Sequence, residues 1–234
     1  MKIEKQQWNG LEALTFEAGG YEAMVIPGYG ANLIRLVHQA TGTSIVRGPS
    51  DEEVEMFKAR PQVFGTPLLF PPNRIADGRY VFEGRTYQYP ITIPAENNYH
   101  HGIIKSQPFH VTNTLIDEGY VQVELSYFSN AYNNSIFIDF PHEFVCKQVF
   151  HLSDGGMLQT VSFTNLSTLN MPLGVGYHTA INIPFTPGGQ SGRLHPADER
   201  GRRVGAFGAN HPDGQTTALD DLSALPFEGI PPRE

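Results

Sequence analysis

Strict alternation of apolar and polar side chains limits this chain to β structure. Over residues 120–127, Val121, Val123 and Leu125 point one way, while Gln122, Glu124 and Ser126 point the other. That period of two describes an antiparallel strand with one face buried. Residues 144–150 and 157–163 repeat it, and Asp154-Gly155-Gly156 between them has the chemistry of a hairpin turn. Residues 79–82 and 85–89 flank Glu83-Gly84 in the same way, and 12–16 and 21–26 flank Gly19-Gly20. Residues 33–37 and 109–116 read as further strands. One helix stands out: Ser50-Asp51-Glu52-Glu53 is a capping box, Val54, Met56 and Phe57 supply apolar contacts, and Pro61 stops it at Arg60. The chain has 24 glycines and 18 prolines in 234 residues, which suits strands and turns and excludes a helical bundle.

Charge removes other classes. With 16 basic and 24 acidic side chains the net charge is −8, so the basic face that nucleic acid requires is missing. Polybasic clusters for anionic membranes are also missing, and no run approaches the roughly 18 apolar residues of a spanning helix. Residues 1–7 lack the apolar core of a signal peptide. Cys146 is the one cysteine, in an apolar strand where an inert buried thiol is expected. These features point to the reducing environment of the cytoplasm. After Phe185 alternation fades and residues 229–234 form no terminal strand, so the chain is expected to stop before its fold is complete.

Three segments carry polar groups suited to chemistry. In residues 67–78 a double proline stiffens the backbone ahead of Asn73 and Arg74, which can hold a guanidinium fork toward a ligand's oxygens; the alternative is a surface ion pair. Residues 96–102 contain His100-His101-Gly102. Neighbouring histidines on a strand face opposite ways, so at most one is expected to join a site. No HExxH or paired-cysteine pattern accompanies them, which argues against a metal. In residues 174–185 two glycines permit close backbone approach, and His178 sits within an apolar strand, either as a proton carrier or as a satisfied core histidine. No GxSxG elbow, phosphate-binding loop or dinucleotide fingerprint is present.

Asn73-Arg74-Ile75 with Asp77-Gly78, the hairpin over residues 82–87, His101-Gly102 and Gly176-Tyr177-His178, in this order, resemble the aldose 1-epimerase (mutarotase) family over residues 1–185. Residues 140–144, Phe-Pro-His-Glu-Phe, also look like the family's approach to its central sheet. The resemblance implies an all-β, galactose mutarotase-like β-sandwich, or supersandwich, of antiparallel strands with one or two short helices. It implies a single domain over residues 1–234, incomplete at the C-terminus. It implies an isomerase that interconverts the α and β anomers of a free hexose, galactose or glucose, without cofactor or metal. Carried over, His178 is the general acid, His101 polarises or orients the sugar, and Arg74, Asn73, His101 and Tyr177 bind it. Tyr99 and Tyr177 are candidates for an aromatic platform. The family's C-terminal glutamate base has no counterpart in matching context; Asp198, Glu199, Glu228 and Glu234 are the candidates. Two alternatives are a hexose-6-phosphate 1-epimerase, with Arg79, Arg85 or Lys105 meeting the phosphate, and a non-catalytic carbohydrate-binding protein. An exposed sheet edge leaves room for a homodimer.

Overall fold

The computed structural model describes residues 1–132, 134–184 and 187–188. The chain divides into two units, Met1–Thr186 and Pro187–Glu234, and the architecture below is that of the first. Among the described residues it has three two-stranded pairings and two larger antiparallel sheets. One runs β1 (Lys2–Trp8), β2 (Leu11–Ala18), β3 (Tyr21–Ile26), β4 (Asn32–His38) and β5 (Thr43–Ser44), each beside the next in sequence. The other is an up-and-down set of four longer strands introduced below. Between the sheets come α1 (Val54–Ala59), β6 (Leu68–Leu69), β7 (Arg74–Ala76), β8 (Arg79–Phe82), β9 (Arg85–Gln88) and β10 (Asn98–His100). Then follow β11 (His110–Asp117), β12 (Tyr120–Ser129), α2 (Asn134–Phe137), β13 (Phe144–Ser153), β14 (Gly156–Asn165) and β15 (Gly176–Tyr177). No described helix is long and apolar enough to cross a membrane.

The alternation decides the layers. Along β13, Phe144, Cys146, Gln148, Phe150 and Leu152 are buried while the residues between them are partly exposed. They meet Val121, Val123 and Leu125 of β12 and Leu14 and Phe16 of β2 in one core. Phe16 and Phe150 touch across it at 6.4 Å between ring centroids. The first sheet is covered on its other face as well. Ala13, Met24, Ile26 and Ile34 pack there against Phe57 of α1 and against Phe64. The helix is held at its start by the predicted box: the Glu53 carboxylate accepts from the Ser50 N–H at 3.0 Å and from Arg47 Nη2 at 2.7 Å. The long first strand was not anticipated, nor were the short β5, β6 and β7. Residues 2–8 pair with β2 over their full length, although their burial is too slight to mark them in the sequence.

Gln148 points into the core and is fully buried, so its amide must find partners. Nε2 donates to the Gly30 carbonyl at 2.7 Å, and Oε1 accepts from Gln159 at 2.9 Å. Gln159 in turn accepts from the Thr66 hydroxyl at 2.8 Å. This chain of bonds ties β13 and β14 to the connections beneath the candidate site. The Phe150→Ala variant should lose about 3–5 kcal/mol, read from urea unfolding, because it removes a filled contact between the two sheets.

Candidate functional site

Three short pairings assemble the site. β7 lies antiparallel to β10, with Arg74 opposite His100. β6 lies antiparallel to β15, with Leu68 opposite Tyr177. The third joins the turn after β10 to the segment after β6: Ile103 N–H donates to the Phe70 carbonyl at 2.8 Å and His101 N–H to the Asn73 carbonyl at 3.0 Å. Residues 178–182 are then stitched down at both ends. His178 N–H meets the Pro67 carbonyl at 3.3 Å, Ala180 N–H the Gly65 carbonyl at 2.8 Å, and Asn182 N–H the Ile45 carbonyl at 2.9 Å. The His178 backbone is therefore fixed while its side chain stays exposed.

His101 takes a left-handed backbone, φ 62°, and Gly102 follows at φ 78°. A non-glycine residue adopts this region at a cost, and only where its surroundings enforce it. The enforcement is close contact with Phe70, whose backbone O, N and C lie 2.6–2.8 Å from where a Cβ on Gly102 would sit. The left-handed turn cancels the alternation expected of neighbouring histidines. His100 and His101 do not face opposite ways; their ring centroids are 3.3 Å apart. The His178 ring meets His101 edge-on at 5.0 Å. Three imidazoles, not two, therefore share the site.

The electrostatics favour a neutral ring at His101 and at His100. Burial pushes the His101 imidazole down to about 3, helped by the positive surroundings of His100, His178, Lys105 and Arg74. His100 is lowered for the same leading reason. His101 Nδ1 is buried with no hydrogen-bond partner among the described residues, so contact with a ligand falls to Nε2. Arg74 donates from Nε to Glu96 at 2.7 Å, and Glu96 also accepts from Asn98 at 3.1 Å. Both bonds hold the Glu96 carboxyl low, Asn98 the more strongly. Arg74 thus forms the ion pair that was the alternative reading, and its partner belongs to the histidine segment itself. Among the described residues only its Nε is engaged by a side chain. Among the described residues no three or more His, Cys, Asp and Glu groups are arranged to hold a metal ion.

Several expectations need correction. His178 does not sit within a strand: β15 ends at Tyr177, and His178 is exposed just beyond it. The apolar pattern that suggested a longer strand, Val175, Tyr177, Ile181 and Ile183, is itself exposed. Tyr99 is no platform. It is buried and stacks on Tyr89 at 4.8 Å, part of a tyrosine cluster in the core. Tyr177 is 41% exposed, and burial together with the neighbouring Cys146 thiol pushes its hydroxyl up to about 12. Asn73, at φ 61°, is exposed beside Arg74. Glu96 and His100 complete the surroundings and were not singled out as site residues; Lys105, named only as a contact for a phosphate, lies with them. The signal for His100 was the glycine after His101, which marks a turn where the strand rule stops applying. The four candidate bases, Asp198, Glu199, Glu228 and Glu234, lie outside the described residues.

Comparison with known proteins places the fold in a family. The family model for aldose 1-epimerase matches residues 12–194. The chain belongs to the aldose 1-epimerase family. A galactose mutarotase-like protein from Clostridium acetobutylicum is 38% identical and superposes with a TM-score of 0.79 over 88% of this chain and 64% of that one. The YihR protein of Escherichia coli is 26% identical over 188 residues, 80% of this chain and 55% of that protein. A galactose 1-epimerase from Lactobacillus acidophilus shares the fold, with a TM-score of 0.54 at 19% identity. The present family member therefore spans between about half and two thirds of the length of these relatives.

The depressed His101 makes a pH prediction. An unfolded chain takes up a proton there below about 6.5, whereas the folded chain resists until about 3. Acid therefore favours unfolding across that window, and above 6.5 the ring contributes nothing. His101→Gln should flatten the fall in urea midpoint between pH 6.5 and the acid limit of folding. Equal slopes in variant and parent would contradict the assignment.

Proposed function

We propose that the chain is an aldose 1-epimerase acting on a free hexose, galactose or glucose. The observation that supports this most is the exposed His178 ring set 5.0 Å from a neutral, partly buried His101. One imidazole can carry a proton while the other orients or polarises the sugar. His178, in its protonated form, gives its proton to the ring oxygen as the bond from C1 to that oxygen breaks. A base takes the proton of the C1 hydroxyl, leaving an open-chain aldehyde. Rotation about C1–C2 and reclosure, with both proton transfers reversed, yields the other anomer. Only protons move, so this reading calls for no cofactor.

In this reading His101 Nε2 contacts the sugar near C1, the Arg74 terminal nitrogens and Asn73 bind hydroxyls, and the Tyr177 ring packs on the sugar's apolar face. Glu96 is a poor base because Arg74 and Asn98 already claim it. The base therefore comes from elsewhere, with Asp198, Glu199, Glu228 and Glu234 as this chain's candidates. Location in the cytoplasm, and pairing of two copies along an exposed sheet edge, belong to the same proposal. A second reading, a sugar-binding protein without turnover, draws support from the engaged state of Glu96.

Exchange between anomers of galactose and glucose, followed by NMR, tests the first reading. Acceleration by the parent chain should fall about 10²–10⁴-fold in His178→Ala, with sugar affinity changed far less. Undiminished exchange in the variant would refute the role of His178. Saturable binding with no acceleration by the parent would favour the second reading.

A further inference from the structure

Lys105 has no place in the reaction above, yet its amine is drawn in from solvent without an acidic partner. No ion pair to it occurs among the described residues. Its Nζ donates instead to the Gly102 carbonyl at 2.6 Å. Withdrawing an ammonium from water for a single carbonyl is costly, so the position calls for a role that a neutral side chain cannot fill. Burial alone pushes its amine down to about 8.

The backbone of Lys105 is anchored separately. It belongs to a single helical turn over Ile104–Ser106. Gly30, at φ 67°, lies over it so closely that a Cβ there would fall 2.7–2.9 Å from Lys105 backbone atoms. Gly30 N–H also donates to the Gln107 carbonyl at 2.9 Å, and the Gly30 carbonyl accepts from buried Gln148. The lysine therefore works from a fixed base. Its stem reaches back over three residues and closes a ring on the carbonyl of the glycine that follows His101. That carbonyl belongs to the left-handed turn holding His100 and His101 side by side.

We infer that Lys105 is a positioning residue: its ammonium clamps the Gly102 carbonyl, and through it the His101–Gly102 turn that sets the His101 ring against His178. The inference rests on the reaction proposed above for its kinetic test, but its geometric content stands apart. The charged and titratable groups around His101 are His100 on the same turn, Arg74 from β7, Glu96 ahead of β10, His178 after β15, and Lys105 itself. Lys105 is the one cation of this set with no carboxylate bound to it among the described residues, and removing it both frees the turn and lightens the positive surroundings.

The test compares Lys105→Met, Lys105→Gln and Lys105→Arg in the full chain by anomer exchange and by nitrogen-15 NMR of the imidazoles at pH 5. Lys105→Met should lower kcat about 10–100-fold with a smaller change in KM, because the turn shifts while the sugar's hydroxyl contacts remain. The His101 ring, neutral at pH 5 in the parent, should take on protons in this variant. Lys105→Arg, which keeps charge and donor, should recover kcat to within about threefold. Should Lys105→Met not fold, Lys105→Gln, which keeps a donor and drops the charge, should show the same protonation at pH 5. Parent-like kcat and a parent-like His101 ring in the methionine or glutamine variant would overturn the inference. If the parent chain itself shows no exchange, the proposed function fails, and the state of the His101 ring alone decides the role of Lys105.

Discussion

The site depends on one steric fact: a backbone cannot approach Phe70 as closely as residue 102 does if it carries a side chain. A Cβ there would lie 2.6 Å from the Phe70 carbonyl oxygen. Glycine at 102 lets the chain after β10 turn left-handed, and that turn carries His101 out of strand geometry. Phe70 can serve as the seat because it is itself immobile. Its fully buried ring is gripped by Phe140, Phe144 and Phe163 at 4.7–5.6 Å. The sandwich core thus fixes Phe70, Phe70 admits only glycine, and the glycine turn sets the two adjacent imidazoles.

The second element of the site is its charge. Rings in contact within a partly dry site cannot all be protonated without strong repulsion. Burial and the cations on either side resolve this by keeping His101 neutral. Arg74 is balanced by Glu96, so the pair adds direction without much net field. His178 differs from the other two because it stands in solvent while its backbone is pinned to Pro67 and its neighbours to the connections below. A neutral, anchored imidazole beside an exposed one is a division of roles that suits transfer of a proton to an uncharged ligand.

Much of the sandwich was legible in the sequence because its strands alternate cleanly. β12 and β13 each bury one face, β14 alternates partly buried with exposed residues, and the register of β13 with β14 is set by the short turn between them. The capping box located the helix for a similar reason, since its bonds are local. The site was legible in its residues but not in its geometry. Local rules placed His100 and His101 on opposite faces, and a contact with Phe70, thirty-two positions from Gly102, cancels them. Tyr99 looked like a platform because an aromatic residue beside histidines suggests a ligand, yet β10 turns it into the core. The pairing of Arg74 with Glu96 was hidden because it depends on β7 meeting β10, a pairing that neither segment announces alone.

The most direct test of sugar binding at this cluster is titration of the chain, labelled at its histidine rings, with galactose and with glucose by NMR. The account predicts that the His101 and His178 resonances move together and saturate at one sugar concentration. Buried His142, tied to Tyr87 at 2.7 Å in the core, should stay where it is. Saturable binding that leaves the His101 and His178 rings unmoved would place the sugar elsewhere and contradict the account.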